Sequence, residues 1–277
     1  MKKLLLFVMS LATVSIVSAQ NYWSDHTEDA SKIITDKAVG RVSFPKEFKL
    51  FDLNIEPLRQ TLFSVAGQNA TRHSAIISLP NANGSIEQFE IVEASNFEPD
   101  LQNRFPEIRA FSGKGITDRS ASLKLSISPQ GIQTMVFRSG KENEFIEPYS
   151  QDHTIYASFR SQRSATGAWV CSTQDEKLAD GIDQQVNNMQ ITSRSGGNLK
   201  TMRLAQSCNG EYSNWFGATS ASQVGLVLAA FNATLTRCNG VYEKDLALHL
   251  NLIANTTDVI YYNPATDPYS NSLSQWN

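Results

Sequence analysis

The sequence predicts an α+β protein in two parts, a β-rich N-terminal domain followed by a small strand–helix–strand unit. Three observations carry this expectation. Between residues 75 and 146, short segments of alternating apolar and polar residues are separated by Gly, Pro and Asn turns, the pattern of strands with one buried face. From Val224 to Cys238 apolar residues recur at helical spacing. From Leu246 to Leu252 a leucine stands at every second position, the period of a strand.

In chain order, Lys2 and Lys3 precede an apolar run, Leu4 to Val17, and Val17-Ser18-Ala19 supplies the small residues of a signal-peptidase site. Residues 1–19 are therefore read as a signal peptide cut after Ala19, which makes the protein secreted or cell-surface. No later segment approaches the ~20 apolar residues of a membrane span. With 41% hydrophobic residues the chain can build a packed core. Its net charge of −3, without a dense Lys/Arg stripe, leaves no footprint for a nucleic acid.

Residues 20–160 form the β-rich part. Glu56 to Phe63 suits one short helix, with Pro57 in its first turn and Leu58 and Leu62 on one face. Ala75 to Pro80 is an apolar strand, and Asn83-Gly84 is a hairpin turn. Phe89 and Ile91 then alternate with Gln88, Glu90 and Glu93. Leu123, Leu125 and Ile127 alternate with Lys124, Ser126 and Ser128 before Pro129-Gln130-Gly131 turns the chain into Ile132 to Phe137. Ser139-Gly140 turns it again towards Phe145-Ile146. A sandwich-like meander is the expected form.

Residues 161–199 are polar, and Ser164-Ala165-Thr166-Gly167 and Ser193-Arg194-Ser195-Gly196-Gly197 are loop compositions. Exposed linkers are where proteases cut. Processing near Arg194 or Lys200 is one reading of this segment, and an uncut linker is the other.

Residues 200–277 hold the strand–helix–strand unit. Thr201 to Cys208 is the expected first strand, with Met202, Leu204, Gln206 and Cys208 on one face. The helix is expected from Ser220, which stands at capping-box spacing from Gln223. Val224, Val227, Leu228, Phe231, Leu235 and Cys238 form its buried stripe, and it runs to Tyr242 despite Gly240. Strand–helix–strand order favours a parallel pair joined by a right-handed crossover.

The wording of two stretches adds a family resemblance. The stretch from Lys200 to Asn277, KTMRLAQSCNGEYSNWFGATSASQVGLVLAAFNATLTRCNGVYEKDLALHLNLIANTTDVIYYNPATDPYSNSLSQWN, resembles the opening of the catalytic domain of reprolysin-like (adamalysin-type) zinc metalloproteases, in the form found in secreted bacterial proteins. ISLPNANGSIEQFEIVEASNFEPDLQNRFPEIRAFSGKGI resembles the propeptide of the same proteases: a Leu-Pro-x-x-x-Gly turn, a Phe-x-x-x-Glu strand, then Pro106, Glu107, Ile108, Phe111 and Gly113 in the places of a Phe-Pro-Glu-Ile-x-x-Phe-x-Gly segment.

The resemblance implies a β-rich propeptide followed by the first part of a metzincin-like α/β module. It also implies a zinc ion held by a His-Glu-x-x-His helix and a third His, and protein or peptide substrates. This chain carries only His26, His73, His153 and His249, none within four residues of another. The expectation is therefore a fragment that ends before the zinc segment, with no catalytic residue of its own. His249 lies inside the apparent module, where a half-exposed polar strand residue is the expected role. No nucleophile-elbow signature accompanies a Ser-His-Asp order either.

Three cysteines, Cys171, Cys208 and Cys238, leave one thiol over in an exported chain. A disulfide between Cys208 and Cys238 and two buried thiols both suit their positions. Related metzincins hold a propeptide cysteine as the fourth zinc ligand, which gives Cys171 two readings, a cysteine switch or a structural thiol. Asn-x-Ser/Thr sequences at Asn69, Asn83, Asn232 and Asn255 are read as chance occurrences. The alternative to a latent protease is a free-standing, non-enzymatic propeptide-like module that inhibits a protease or assists its folding. A secreted adhesin-like β domain is a third reading, with neither repeats nor an aromatic platform behind it.

Overall fold

The computed structural model describes residues 22–41, 44–67, 70–161 and 198–270. The N-terminal region builds one antiparallel sheet from β1 (Trp23–Asp25), β2 (Lys49–Leu53), β3 (Ala75–Pro80), β4 (Ile86–Glu93), β5 (Arg109–Gly115), β6 (Ser122–Ser128), β7 (Gly131–Phe137), β8 (Glu144–Pro148) and β9 (Ile155–Arg160). Their order is β1-β2-β9-β8-β7-β6-β5-β4-β3. Two helices interrupt the meander, α1 (Ile55–Phe63) and α2 (Pro99–Arg104).

The expected sandwich is not what forms. Every strand from β3 to β9 pairs with its neighbour in sequence, and β9 then pairs back onto β2, so among the described residues of this region no strand is left to found a second sheet. The single sheet curls until its edges meet. Trp23 of β1 donates its ring N–H to the Ser78 carbonyl of β3 at 2.9 Å. Its ring stands edge-on to Tyr156 of β9, with centroids 5.6 Å apart. The enclosed core takes the apolar half of each alternating strand, including Leu123, Leu125, Ile127 and Ile132, with Leu58 and Leu62 of α1 packed in the same cluster.

The turn at Gly131 shows how tightly this interior is filled. Its φ is +94°, and a Cβ there would sit 2.2 Å from the Tyr156 hydroxyl. That hydroxyl accepts the Ile132 N–H, and burial pushes the phenol up to about 12.

The C-terminal region holds β10 (Lys200–Leu204), α3 (Gly210–Trp215), α4 (Val224–Leu246) and β11 (Leu248–Leu252). β10 and β11 run parallel, from Lys200 opposite Leu248 to Leu204 opposite Leu252, with α3 and α4 between them in the chain. The first strand is shorter than its sequence suggests, and Cys208 makes only an isolated bridge to Ile260. The helix starts later and ends later than expected. Ala221–Gln223 form a 3-10 turn before Val224, while Gln223 accepts from the Thr219 backbone and hydroxyl. At the other end Ala247, at φ 53°, terminates the helix in the left-handed region, its N–H bonded to the Tyr242 carbonyl.

α4 lies across the face of the sheet opposite the first core. Ala229, Ala230 and Ala233 stand with Ser126 and Ser128 of β6 around a small shared cleft. Ser126 and Ser128 are buried, although their alternation suggested a solvent face. Gly240 brings the helix within touching distance of β7, since a Cβ there would lie 2.7 Å from the Phe137 ring. A second apolar core results, and both regions feed it: Phe97, Leu101 and Ile108 pack with Val227, Leu228, Phe231, Leu235, Leu252 and Ile260.

Candidate functional site

The polar groups that join the two regions gather around Asn96, in the short link between β4 and α2. Its segment lies beside β11 as an added parallel strand: Leu252 donates to the Asn96 carbonyl at 2.7 Å, and Glu98 donates to the Leu252 carbonyl at 2.9 Å. The Asn96 side chain, 2% exposed, projects onto α4. Its amide nitrogen donates to Asn232 Oδ1 at 2.9 Å and to Thr236 Oγ1 at 2.8 Å. Its oxygen accepts from Asn239 Nδ2 at 2.9 Å. Asn232, Thr236 and Asn239 stand at i, i+4 and i+7, which places them on one helical stripe.

Each of these groups has further partners, as buried polar groups require. Asn232 Nδ2 donates to the Arg109 carbonyl, and Thr236 donates to the Asn232 carbonyl. Asn239 closes a pair of bonds with the Leu250 backbone, donating at 2.9 Å and accepting at 2.8 Å. Asn232 belongs to one of the Asn-x-Thr sequences, and its burial removes it from any surface modification in the folded state.

Around this hub lies a partly buried ring of charge. His249 Nδ1 is 2.8 Å from Glu243 Oε1, and its Nε2 is 3.2 Å from the Ser95 carbonyl. Glu243 also binds Lys124, whose ammonium reaches Ser112 Oγ at 2.8 Å. Burial alone would raise the Glu243 carboxyl. Hydrogen bonds from His249 and Lys124, with their charges, outweigh it and hold the group below its ordinary value. On the rim, Glu98 pairs with Arg203 and accepts the Ala254 N–H, and these contacts lower its carboxyl.

The remaining sequence-singled residues lie apart. His26 pairs with Asp52 at 2.9 Å and His153 faces Asp36 at 3.4 Å. Among the described residues no group of three His, Cys, Asp or Glu side chains could hold a metal ion, so zinc has no fitting site there. Cys208 and Cys238 carry free thiols, and the bridge between them is not formed. Cys208 sits beside Ser213 and packs in the second core, a cluster of which Cys238 is not a member. Burial raises both thiols. Lys200 opens β10, exposed, with its N–H on the Ala247 carbonyl. Ala19, Cys171, Arg194 and Asn69 lie outside the described residues. Among those residues no helix is long and apolar enough to cross a membrane.

The i, i+4, i+7 polar triad was the signal available in the sequence for this hub. Its partner, 136 residues upstream of the first member, carried none.

Residues 198–276 match the family model described as metallo-peptidase family M12B, reprolysin-like. The match begins just before β10 and includes α3, α4 and β11, so this segment is metalloprotease-related. No curated protein and no solved structure matches the chain.

Proposed function

We propose that this chain is the N-terminal portion of an exported, latent zinc metalloprotease of reprolysin type. Residues 20–160 act as its propeptide, and residues from 200 onward are the first elements of its catalytic domain. The reaction is hydrolysis of peptide bonds in protein or peptide substrates. The zinc ligands belong to sequence outside these residues, and no step of that chemistry is assigned to groups described above.

One observation carries the reading: the family match coincides with a parallel strand–helix–strand unit whose sheet is open on one side. Among the described residues β10 pairs only with β11. Lys200 to Arg203 are exposed, Met202 at 54%. Parallel sheets are ordinarily covered on both faces and continued by further strands, so this edge is where the rest of such a domain would join.

The coding DNA beyond Asn277 tests the proposal. A continuous frame containing His-Glu-x-x-His supports it. An authentic stop codon would favour a free-standing module that inhibits or assists a protease, a reading the shared core of the two regions also suits. Sequencing the N-terminus of the secreted product tests the leader cut after Ala19 and maturation near Arg194 or Lys200. In the full-length precursor, Cys171→Ala should raise activity before maturation if that thiol silences the zinc, and unchanged latency would discard the switch.

A further inference from the structure

We infer that the N-terminal β domain and the β10–α4–β11 unit recognise each other as separate partners, and that they stay bound after the chain between Ser161 and Lys200 is cut. The inference rests on the interface alone and needs no assumption about proteolysis.

Three independent features of that interface point the same way. The first is strand addition. Asn96 to Glu98 occupies the free edge of β11 with two backbone bonds, at 2.7 Å and 2.9 Å, which is how a docked segment completes the sheet of another molecule. The second is the shared core. Phe97, Leu101 and Ile108 are buried in one cluster with Phe231, Leu235 and Leu252 of the C-terminal unit. The third is the breadth of the contact. Lys124 of β6 holds Glu243, Glu98 holds Arg203, and the Lys37 ammonium lies 5.2 Å from the centre of the exposed Trp215 ring. These contacts come from widely separated parts of the first 160 residues. An apolar centre with a polar rim is the anatomy of a stable protein–protein interface.

Asn96 makes the pairing selective. Its three side-chain bonds reach three successive turns of α4, at Asn232, Thr236 and Asn239, and all four side chains are buried. A helix without that triad would leave the Asn96 amide buried and unpaired, a larger loss than the bonds themselves contribute when made. The partner that fits this surface is therefore an amphipathic helix carrying Asn, Thr and Asn at i, i+4 and i+7, followed by a strand with a free edge. The C-terminal unit of a second copy of this chain has the same features.

To test this, a recognition sequence for a site-specific protease is placed between Ser161 and Lys200. The purified protein is cut and run on gel filtration in native buffer. One peak at the uncut size, containing both fragments and resolving into two only in urea, is the expected result. Separation in native buffer at micromolar concentration would overturn the inference. In the cut protein, Asn96→Ala should weaken association by roughly ten- to a hundredfold, and Thr236→Val, which preserves volume but removes the hydroxyl that accepts from Asn96 and donates to the Asn232 carbonyl, by several-fold. Glu98→Gln, on the exposed rim, should cost less than about fivefold. A larger loss from Glu98→Gln than from both core variants would refute the role given to Asn96.

Discussion

Asn96 and Asn232 stand 136 positions apart in the chain and share a buried hydrogen bond of 2.9 Å. The bond joins the β4–α2 link to the middle of α4, and it lies at the centre of a polar stripe beside the second core. A polar cluster in such a place fixes the angular and axial setting of the helix, because a slip of one residue would leave each member unpaired.

Replacing Asn232 with Ala should therefore destabilise the protein by about 1–3 kcal/mol, since it leaves an Asn96 donor short in a buried site and takes a side-chain donor from the Arg109 carbonyl. Urea denaturation followed by circular dichroism measures this. An unchanged midpoint would mean that water enters the site at little cost.

Gly240→Ala sets two effects against each other. Helix propensity favours Ala by about 1 kcal/mol, but the new methyl would lie 2.7 Å from the Phe137 ring and 2.9 Å from Lys124 Cγ. Overpacking of this kind costs about 1–3 kcal/mol, so net destabilisation is expected. A rise in melting temperature would show that α4 can lift from β7 freely.

Arg138 is 5% exposed and binds Glu87 at 2.6 Å, Asp118 at 2.8 Å and Glu144 at 2.8 Å. The Ser120 hydroxyl and amide, followed by Arg138, hold the Asp118 carboxyl at about 2. Arg138→Ala leaves Glu87 and Asp118 without this counter-charge and Glu144 with Arg160 alone, at 3.5 Å. The expected loss is about 3–5 kcal/mol, the scale for breaking a buried ion pair from one side. A loss under 1 kcal/mol in thermal denaturation would contradict this.

Acid should loosen the junction between the two regions. Glu243 is held below its ordinary value of 4.5 by His249 and Lys124 after burial has opposed them. A depressed carboxyl contributes stability that is present above its unfolded value and lost as the pH falls through its folded value. Stability should therefore decline as the pH drops below about 4.5, and Glu243→Gln should flatten part of that decline. Denaturation midpoints between pH 7 and pH 3 supply the comparison, and identical pH slopes for both proteins would rule Glu243 out.

Iodoacetamide at pH 8 should label Cys208 and Cys238 slowly in the native protein and quickly in urea, because burial raises both thiols. Intact mass with and without reductant should reveal no bridge between them. A two-dalton difference traced to a Cys208–Cys238 peptide pair would reverse that assignment.

Local patterns made much of the sheet legible. Alternation placed β4, β6 and β7, and the Gly-containing turns between them sit where expected. A strand's pattern states which face is buried, not which strand lies beside it, and so the meander could be read as a sandwich. Ser126 and Ser128 read as solvent-facing because small polar residues suit water as well as a close helix. β1, only three residues long, carries no periodic signal, yet Trp23 on it helps close the sheet. In the C-terminal unit the apolar stripe located α4, whereas its ends depended on Ala247 in the left-handed region and a 3-10 turn after Ser220. The Asn96 hub was invisible because its two halves acquire meaning only when folding brings them together.

The position of β9 sets an order of events during synthesis. β3 to β8 form a run of sequential neighbours, each able to zip onto the one before as it leaves the ribosome. β2 has no such companion on one side until Ile155–Arg160 arrives, a hundred residues later. The seam is thus the final stitch, and a nascent chain arrested before Ile155 would carry two raw strand edges, ready to zip onto those of its neighbours on the same polysome.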